Sequence, residues 1–486
     1  MSLRNGNMRW NEDELFRLFL LRDPSLNGKF LTGVITTGIY CLPSCPARRP
    51  KRENVRFFRS PAEALQSGLR PCRRCRPDYF YRGAEWHENL FEQTAARVRN
   101  NPGACAGIAD LARLAGLSRT ALNVLFRDHA QESPAAFLRR VRVDRVCALL
   151  RGGAKSADAA AEAGFESSSS FHEQFVLRTG LTPGAYAALG ASSSFSLRLP
   201  PRYRASTVLD FYARDSESVS ERVTGNGLMK CVLAGGRSAL IEIRFSGDNA
   251  VCTSDAPDLF RAHEAAVRML GLHSDVAGFE RQCGGKGLLG PLIARQRGLR
   301  IPLTPGPWEA LAWAIIGQQI NLRFAVTLRR NLIAQFGVPH PSGLRAHPAA
   351  DAMASLQPEQ LRALKFSASK AEYLLTAARA VASGELPLDR LRQTSARRAA
   401  RLLGSLRGIG PWTVQYAFLR GLGFPDCLPS GDAGLAQGLK KLLARRPIEM
   451  EIRELMAAYA PHRSLATCHV WASLKTGETE GTNNEN

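Results

Sequence analysis

The sequence predicts a multidomain, mainly α-helical chain: a small cysteine-rich α+β domain, two helix-turn-helix units, a second α+β segment and an all-α C-terminal domain. Three observations carry this expectation. The length of 486 residues exceeds what one hydrophobic core organises, so several domains are expected. Ala and Leu recur at helical spacing over most of the chain after residue 86, broken by Gly and Pro turns. The closely spaced cysteines, Cys41, Cys45, Cys72 and Cys75, all precede that helical pattern.

Apolar residues make up 45% and charged residues 22%, with mean hydropathy −0.17, as in a globular protein and not a disordered or fibrous one. The longest apolar run, Leu311-Ala312-Trp313-Ala314-Ile315-Ile316, is far short of the ~20 residues a membrane span needs. No membrane partner is expected. The opening residues have no apolar signal core, so cytoplasmic localisation and reduced thiols are the expectation. Lys and Arg number 65 against 43 acids, a formal charge of +22 and a pI near 10.1, which points to a polyanionic partner, double-stranded DNA first. Residues 41–82 alone hold 11 of these cations and 3 acids.

Residues 1–85 carry the paired cysteines, several aromatics and the basic run, and a metal would support so small a core. Residues 86–190 read as all helix. Ala191-Ser192-Ser193-Ser194 is small and polar, a linker by composition. Residues 191–300 look α+β, with a hairpin formed by 227–233 and 239–245 around Gly235-Gly236. Residues 301–476 return to helices, and 477–486 form a polar, disordered tail.

Cys41-Leu42-Pro43-Ser44-Cys45 and Cys72-Arg73-Arg74-Cys75, separated by 26 residues, suit one tetrahedral Zn2+ held by four thiolates. Arg73, Arg74, Arg76, Arg48 and Arg49 would offset the surplus negative charge and face phosphates. Spacing alone fits a closed structural knot as well as a reactive site. With Thr36-Thr37-Gly38-Ile39-Tyr40 before the first pair and Arg76-Pro77-Asp78 after the second, about 70 residues resemble the Ada-type metal-binding domain. The resemblance implies that Cys41 takes a methyl group from a methylated DNA phosphotriester. A zinc thiolate is nucleophilic at neutral pH, and methylation would remove one negative charge from a phosphate-facing surface. Where that family commonly has Arg after the first cysteine, this chain has Leu42.

Ala112, Gly116 and Leu122 have helix-turn-helix spacing, and Ala160 to Phe165, followed by Phe171 and Phe175, repeats it 48 residues later. Each unit alone fits an ordinary helical corner; the duplication and the charge favour DNA binding. The pair resembles the AraC-type DNA-binding domain, which implies transcription regulation and RNA polymerase as a further partner. Arg119, Thr120 and Asn123 open the first recognition helix within reach of base edges, and Arg127 suits phosphate. The second offers Ser168, Ser169, Ser170 and His172, which discriminate bases weakly.

Leu406-Arg407-Gly408-Ile409-Gly410-Pro411 lies between helical patterns and can form a helix-hairpin-helix in which Gly408, Ile409 and Gly410 present backbone to a DNA phosphate. A plain helix end and Pro start explains the same residues. Pro429-Ser430-Gly431-Asp432 follows, and Asp432 reads equally as a helix N-cap or an acid. With Gly317-Gln318-Gln319 and Arg463-Ser464 through His469-Val470-Trp471, residues from about 195 to 476 resemble the helix-hairpin-helix glycosylases, nearest the AlkA group of 3-methyladenine glycosylases. The resemblance implies an AlkA N-terminal-like α+β domain before an all-α glycosylase domain. It also implies a catalytic Asp432, a base pocket of Trp412, Tyr416 and Trp471, and a Gln319 side chain filling the gap left by a flipped base.

Superfamily members that also cut the strand have a Schiff-base Lys where this chain has Trp412, so a monofunctional hydrolase is expected. Cys468 stands alone near the C-terminus, so no iron–sulfur cluster is expected, although a monovalent cation at the hairpin is. No Pro-Cys-His-Arg motif of the O6-alkylguanine transferases occurs. The sequence therefore reads as a methylphosphotriester-sensing regulator joined to a DNA-3-methyladenine glycosylase. The alternatives it leaves open are a DNA-binding transcription regulator whose C-terminal half is catalytically inactive, and a glycosylase whose cysteine site is only structural.

Overall fold

The computed structural model describes residues 11–81 and 86–476, so the expected tail at 477–486 lies outside the described residues. The chain forms two compact units, 1–93 and 94–486, the division falling inside the helix Trp86–Asn100. No helix among the described residues is long and apolar enough to cross a membrane.

In the first unit, Asn11 caps the helix Glu12–Leu21 by accepting from the Asp13 and Glu14 amides, and three acids in the first turn suit the positive helix end. A four-stranded sheet follows in the order Val55–Phe58, Leu31–Val34, Ile39–Cys41, Arg70–Pro71. Two small cores lie beside it: Phe19, Leu26, Phe30, Val55 and Phe57 in one, Leu31, Tyr40, Leu42, Phe58, Ala64 and Leu69 in the other. Gly33 permits the close packing, since a Cβ there would come within 2.4 Å of Leu69 and 2.5 Å of Phe58.

The second unit begins with the helix pairs expected from the repeat. Ile108–Ala115 ends at Gly116 in the left-handed region, and Ser118 caps Arg119–Ala130. Pro134–Arg151 connects this pair to Ser156–Glu162 and Ser168–Thr179, the latter capped by Ser167. Gly164, at φ 85°, is fixed by crowding as well as conformation: a Cβ would sit 2.8 Å from the Gly103 Cα.

A five-stranded antiparallel sheet comes next, in the order Ser194–Arg198, Asn249–Ser254, Arg237–Ser246, Gly227–Ala234, Glu221–Thr224. The expected hairpin is present, closed at Gly235-Gly236 with both residues at positive φ. The polar run at 191–194 is only partly a connection: Ala191 ends a short 3-10 helix, and Ser194 pairs with Thr253. Buried side chains of the second helix-turn-helix and of this sheet form one continuous core.

The helices from Pro307 to Thr476 enclose the largest core, with Pro307–Ile316 at its centre. A buried ion cluster joins sheet to helices: the Arg329 guanidinium meets Glu221 at 2.7 and 2.9 Å, and Lys230 lies 3.0 Å from Glu221 and 3.2 Å from Glu309. Burial alone would raise the Glu221 carboxyl, but Arg329 and Lys230 hold it well below its ordinary value.

Burial pulls the His263 imidazole down to about 4, His347 to about 4 and His469 to about 3. Unfolded, each would take up a proton near 6.5, so below that pH the unfolded chain binds more protons than the folded one. Stability therefore falls as pH drops from about 6.5 towards 4, by at most about 1.4 kcal/mol per unit per imidazole. The thermal midpoint should be lower at pH 5 than at pH 7, and His469→Gln should flatten that slope; a midpoint rising on acidification contradicts the assignment.

Candidate metal centre and candidate active site

Parallel pairing of Ile39–Cys41 with Arg70–Pro71 places the two cysteine pairs side by side, and the Cys72 amide donates to the Tyr40 carbonyl at 2.9 Å. The Sγ atoms of Cys41, Cys45, Cys72 and Cys75 all lie within 4.8 Å of one another. Four thiols in mutual reach, three of them buried, are a donor set for one soft-to-borderline divalent ion, so the residues fit zinc. Backbone amides add to the set: Leu42 donates to Cys75 Sγ at 3.3 Å and Arg74 to Cys72 Sγ at 3.4 Å. Leu42 itself points its side chain into the core, which accounts for an apolar residue at that position.

The nearby cations divide into two sets. Arg73, Arg74 and Arg48 are exposed. Arg49 instead lies 3.7 Å over the Phe19 ring and donates to the Pro43 carbonyl at 3.1 Å, and Arg76 pairs with Asp78 and covers Tyr79. Burial lowers the Arg49 pKa, and Arg22 adds to this, while Cys45 and Cys41 pull it back up. These two arginines therefore compensate charge and shape the site from within.

In the second unit, Gly408 adopts φ 83° in the turn before Pro411–Ala417, and a Cβ there would lie 2.2 Å from the Tyr373 ring, so only glycine fits. The Ile409 amide is used within the turn, donating to the Leu406 carbonyl, and its side chain is buried in the core. Gln318 donates to the Gly408 carbonyl at 2.8 Å and to the Thr413 hydroxyl at 2.9 Å. Its neighbour Gln319 is exposed and held at φ 55°. Lys370 donates to the Ile315 carbonyl at 3.4 Å and to that of Gln318, fixing the end of the preceding helix.

Asp432 is the N-cap of Ala433–Leu443 and also more than that. Its Oδ1 accepts from the Leu435 amide at 2.7 Å and from Trp471 Nε1 at 2.8 Å, and its Oδ2 accepts from Trp412 Nε1 at 3.0 Å. Trp412 stacks on Tyr416 at 5.2 Å between centroids, and Tyr416 lies 6.1 Å from Trp471. The three rings and the acid are thus one cluster, partly open at Trp412, Trp471 and Asp432 and buried at Tyr416.

Residues that the sequence reading did not single out surround it. Arg420 approaches the Trp471 ring at 5.2 Å, and Arg214 lies 4.4 Å from Phe211 and 4.3 Å from Trp313. Burial lowers the Arg214 pKa, partly countered by Tyr416. A hint for Gln318 lay beside Gln319; none existed for Arg214, which comes from another segment. His469 accompanies Trp471 in the sequence but is core, bonded to Gln296 and packed on Phe279. The other expected residues are surface positions: Arg119, Thr120, Asn123 and Arg127 form an exposed stripe on their helix.

Comparisons with known proteins divide the chain in the same order. Residues 14–78 match the metal binding domain of Ada, 111–188 a helix-turn-helix domain, and 312–461 the HhH-GPD superfamily of base excision DNA repair proteins. A Mycobacterium tuberculosis protein described as a probable bifunctional transcriptional activator/DNA repair enzyme AlkA is 29% identical over 95% of this chain and 96% of its own. The Bacillus subtilis DNA-3-methyladenine glycosylase is 28% identical, over 57% of this chain and 96% of its own length. The 3-methyladenine DNA glycosylase structure from Archaeoglobus fulgidus shares the fold at TM-score 0.53 and 20% identity, covering 58% of this chain and 98% of that one. Segment by segment, the chain carries a metal binding domain of the Ada type, a helix-turn-helix domain and an HhH-GPD domain, in the same order as they were read from the sequence.

Proposed function

We propose that the protein is an alkylation-damage response protein with two activities. One is capture of a methyl group from DNA phosphotriesters, coupled to transcription regulation. The other is monofunctional hydrolysis of the N-glycosidic bond of alkylated bases such as 3-methyladenine. The observation that carries the second is a carboxylate, Asp432, accepting from two indole N–H groups within a cluster of three aromatic rings.

The Gly408 and Gly410 amides at the helix start hold a phosphate of the damaged strand, with Ile409 anchoring the turn through its buried side chain. Gln319 fills the gap left when the base leaves the stack. Alkylation at a ring nitrogen makes the base cationic, so the faces of Trp412, Tyr416 and Trp471 attract it. As the C1′–N bond breaks, the cationic base leaves as a neutral base with the bonding pair and positive charge builds on the sugar; the Asp432 carboxylate stabilises that charge while water supplies the new C1′–O bond and gives up a proton to solvent. Trp412 provides no amine for an imine, so the abasic strand is left intact. A monovalent cation on hairpin carbonyls would strengthen the phosphate grip, although the Gly408 carbonyl already accepts from Gln318.

In the first unit, Cys41 Sγ attacks the methyl carbon of a phosphotriester; the S–C bond forms, the O–C bond breaks and a phosphodiester anion leaves. Cys41, Cys45, Cys72 and Cys75 would hold a zinc ion, whose charge would keep the sulfurs as thiolates at neutral pH. Methylation removes one negative charge beside Arg73 and Arg74, which raises affinity for phosphates. Arg119, Thr120 and Asn123 then read base edges and Arg127 a phosphate, with RNA polymerase as the partner of the resulting complex. The name of the M. tuberculosis relative, an activator and repair enzyme in one chain, supports this coupling.

Asp432→Asn should lower release of 3-methyladenine from duplex DNA by about 10²- to 10³-fold, measured chromatographically as free base, and unchanged release would remove the acid from the mechanism. Trp471→Phe keeps the ring but deletes one donor to the carboxylate, for which a loss of about tenfold is expected. Metal analysis should find one zinc per chain, falling on Cys72→Ser. Mass spectrometry after exposure to methylphosphotriester DNA should place a single methyl on Cys41; an unmodified Cys41 in the zinc-loaded protein makes the site structural only.

A further inference from the structure

The first recognition helix, Arg119–Ala130, is locked by its last turn onto the first turn of Ala396–Gly404, the helix that leads into the helix-hairpin-helix. His129 Nδ1 lies 2.9 Å from the Ser395 hydroxyl, both residues buried, and Asp128 meets Arg397 at 3.0 Å. Arg392 donates to the Ala130 carbonyl at 3.3 Å and, with Arg140, faces the Glu132 carboxylate at 3.7 Å and 2.6 Å. Burial alone would raise Glu132, but the two arginines hold it below its ordinary value. Gln131, in the left-handed region, accepts from the Asp426 amide at 3.0 Å, and Asp426 is gripped in turn by Arg463. Breaking this junction would leave the Glu132 carboxylate and its arginines without partners away from water.

The lock does not consume the DNA-reading face. Leu122, Leu125, Phe126, His129 and Ala130 are buried, whereas Arg119, Thr120, Asn123, Val124, Arg127 and Asp128 form the opposite, exposed stripe. Asp128 ends that stripe, and its partner Arg397 is exposed at the start of the next helix, with side-chain exposures of 44% and 55%. An exposed ion pair thus joins the two helices at the surface, and Arg397, Arg398, Arg401 and Arg407 are exposed along the segment that leads to the hairpin. Lengths bound the separation. At 1.5 Å per residue, Arg119 lies about 15 Å from His129, and Gly404, in the last turn before the hairpin, about 14 Å from Ser395 on the other side. Allowing about 10 Å for packed helices, the two DNA-facing ends are within about 40 Å, a little over one turn of duplex.

We propose that the first helix-turn-helix unit and the glycosylase site engage one and the same duplex, the recognition helix meeting it about one turn from the flipped base. The surface so formed is a single extended DNA interface, and excision works on lesions at a fixed short distance from the helix-turn-helix contact. This inference rests on the glycosylase reading above.

The test uses the full-length, zinc-loaded chain carrying Asp432→Asn and a photocrosslinking side chain at Val124, with a 40-base-pair duplex holding one 3-methyladenine and a tenfold excess of lesion-free duplex. Crosslinks should fall on the lesion-bearing duplex, within about 12 base pairs of the lesion. Crosslinks that follow the competitor, or lie at no fixed distance, overturn the proposal. In parallel, kcat/KM for base release by the otherwise unaltered protein should be about tenfold higher on 40 than on 12 base pairs and steeper in salt. The junction variant His129→Ala/Arg392→Ala should fall to the 12-base-pair value on both lengths, its retained short-duplex activity showing that it folds. Equal kcat/KM on both lengths counts against a shared duplex. Loss of base release even from 12 base pairs would sink the glycosylase reading, while the crosslink map still scores this one.

Discussion

Everything in the C-terminal half is arranged around a carboxylate wedged between two indole N–H groups. Three elements meet at Asp432: the helix it caps through Leu435, the post-hairpin helix through Trp412, and the last helix through Trp471. The tolerance is small, since a Cβ on Gly434 would come within 3.2 Å of both Asp432 Oδ1 and Trp471. Trp412 stands two residues after Gly410, so the acid is referenced directly to the turn proposed to bind phosphate. Gln318 adds the wedge loop to the same reference by bonding the Gly408 carbonyl and the Thr413 hydroxyl. The proposed phosphate grip, wedge and acid therefore share one hydrogen-bonded framework, which is what positioning a flipped nucleotide demands.

The N-terminal unit solves a related problem with opposite materials. On the proposed function, both sites would confront an electron-poor carbon with an anion: a methyl carbon on a phosphotriester, an anomeric carbon on a damaged nucleotide. A carboxylate held by neutral donors stabilises charge without reacting, whereas a sulfur nucleophile has to give up its charge to a bond. Four sulfurs within 4.8 Å cannot all be anions without a cation among them. The two small cores of this unit also explain why a metal is needed mechanically, because neither contains more than six buried side chains.

How much of this was legible in the sequence depended on the range of the interaction. Gly408, Gly116 and Gly164 announce turns because the backbone conformation or a close approach excludes a side chain, and both are local constraints. The cysteine spacing was equally local, needing only one pair of adjacent strands to close it. The serine run at 192–194 misled for a physical reason. In Ser194–Arg198 the pattern is exposed, buried, exposed, buried, exposed, so Ser194 and Ser196 are the solvent face of an edge strand and Phe195 and Leu197 its core face. Gly227–Ala234 lacks alternation because its second face is covered by Leu344 and Ala346, over a hundred residues away. Arg214 and Arg420 at the aromatic cluster, and Glu132 against Arg392 at the junction, were invisible for the same reason: each partner lies far off in the chain, and no periodicity announces such a pairing.

The position of Trp412 shows how an absence in the sequence becomes a presence in the fold. Read as a string, it records only that a lysine is missing where a strand-cutting relative would form an imine. Read in three dimensions, the indole supplies the N–H that fixes Asp432 Oδ2 and the face that stacks on Tyr416. A lysine there would remove both and set an ammonium beside the carboxylate, pairing the charge that the developing sugar cation requires. The two chemistries exclude each other at this residue: an amine that attacks the sugar needs a carboxylate free to take its proton, and a carboxylate that stabilises the sugar alone needs neutral donors around it. On the proposed function, the indole commits the site to the second.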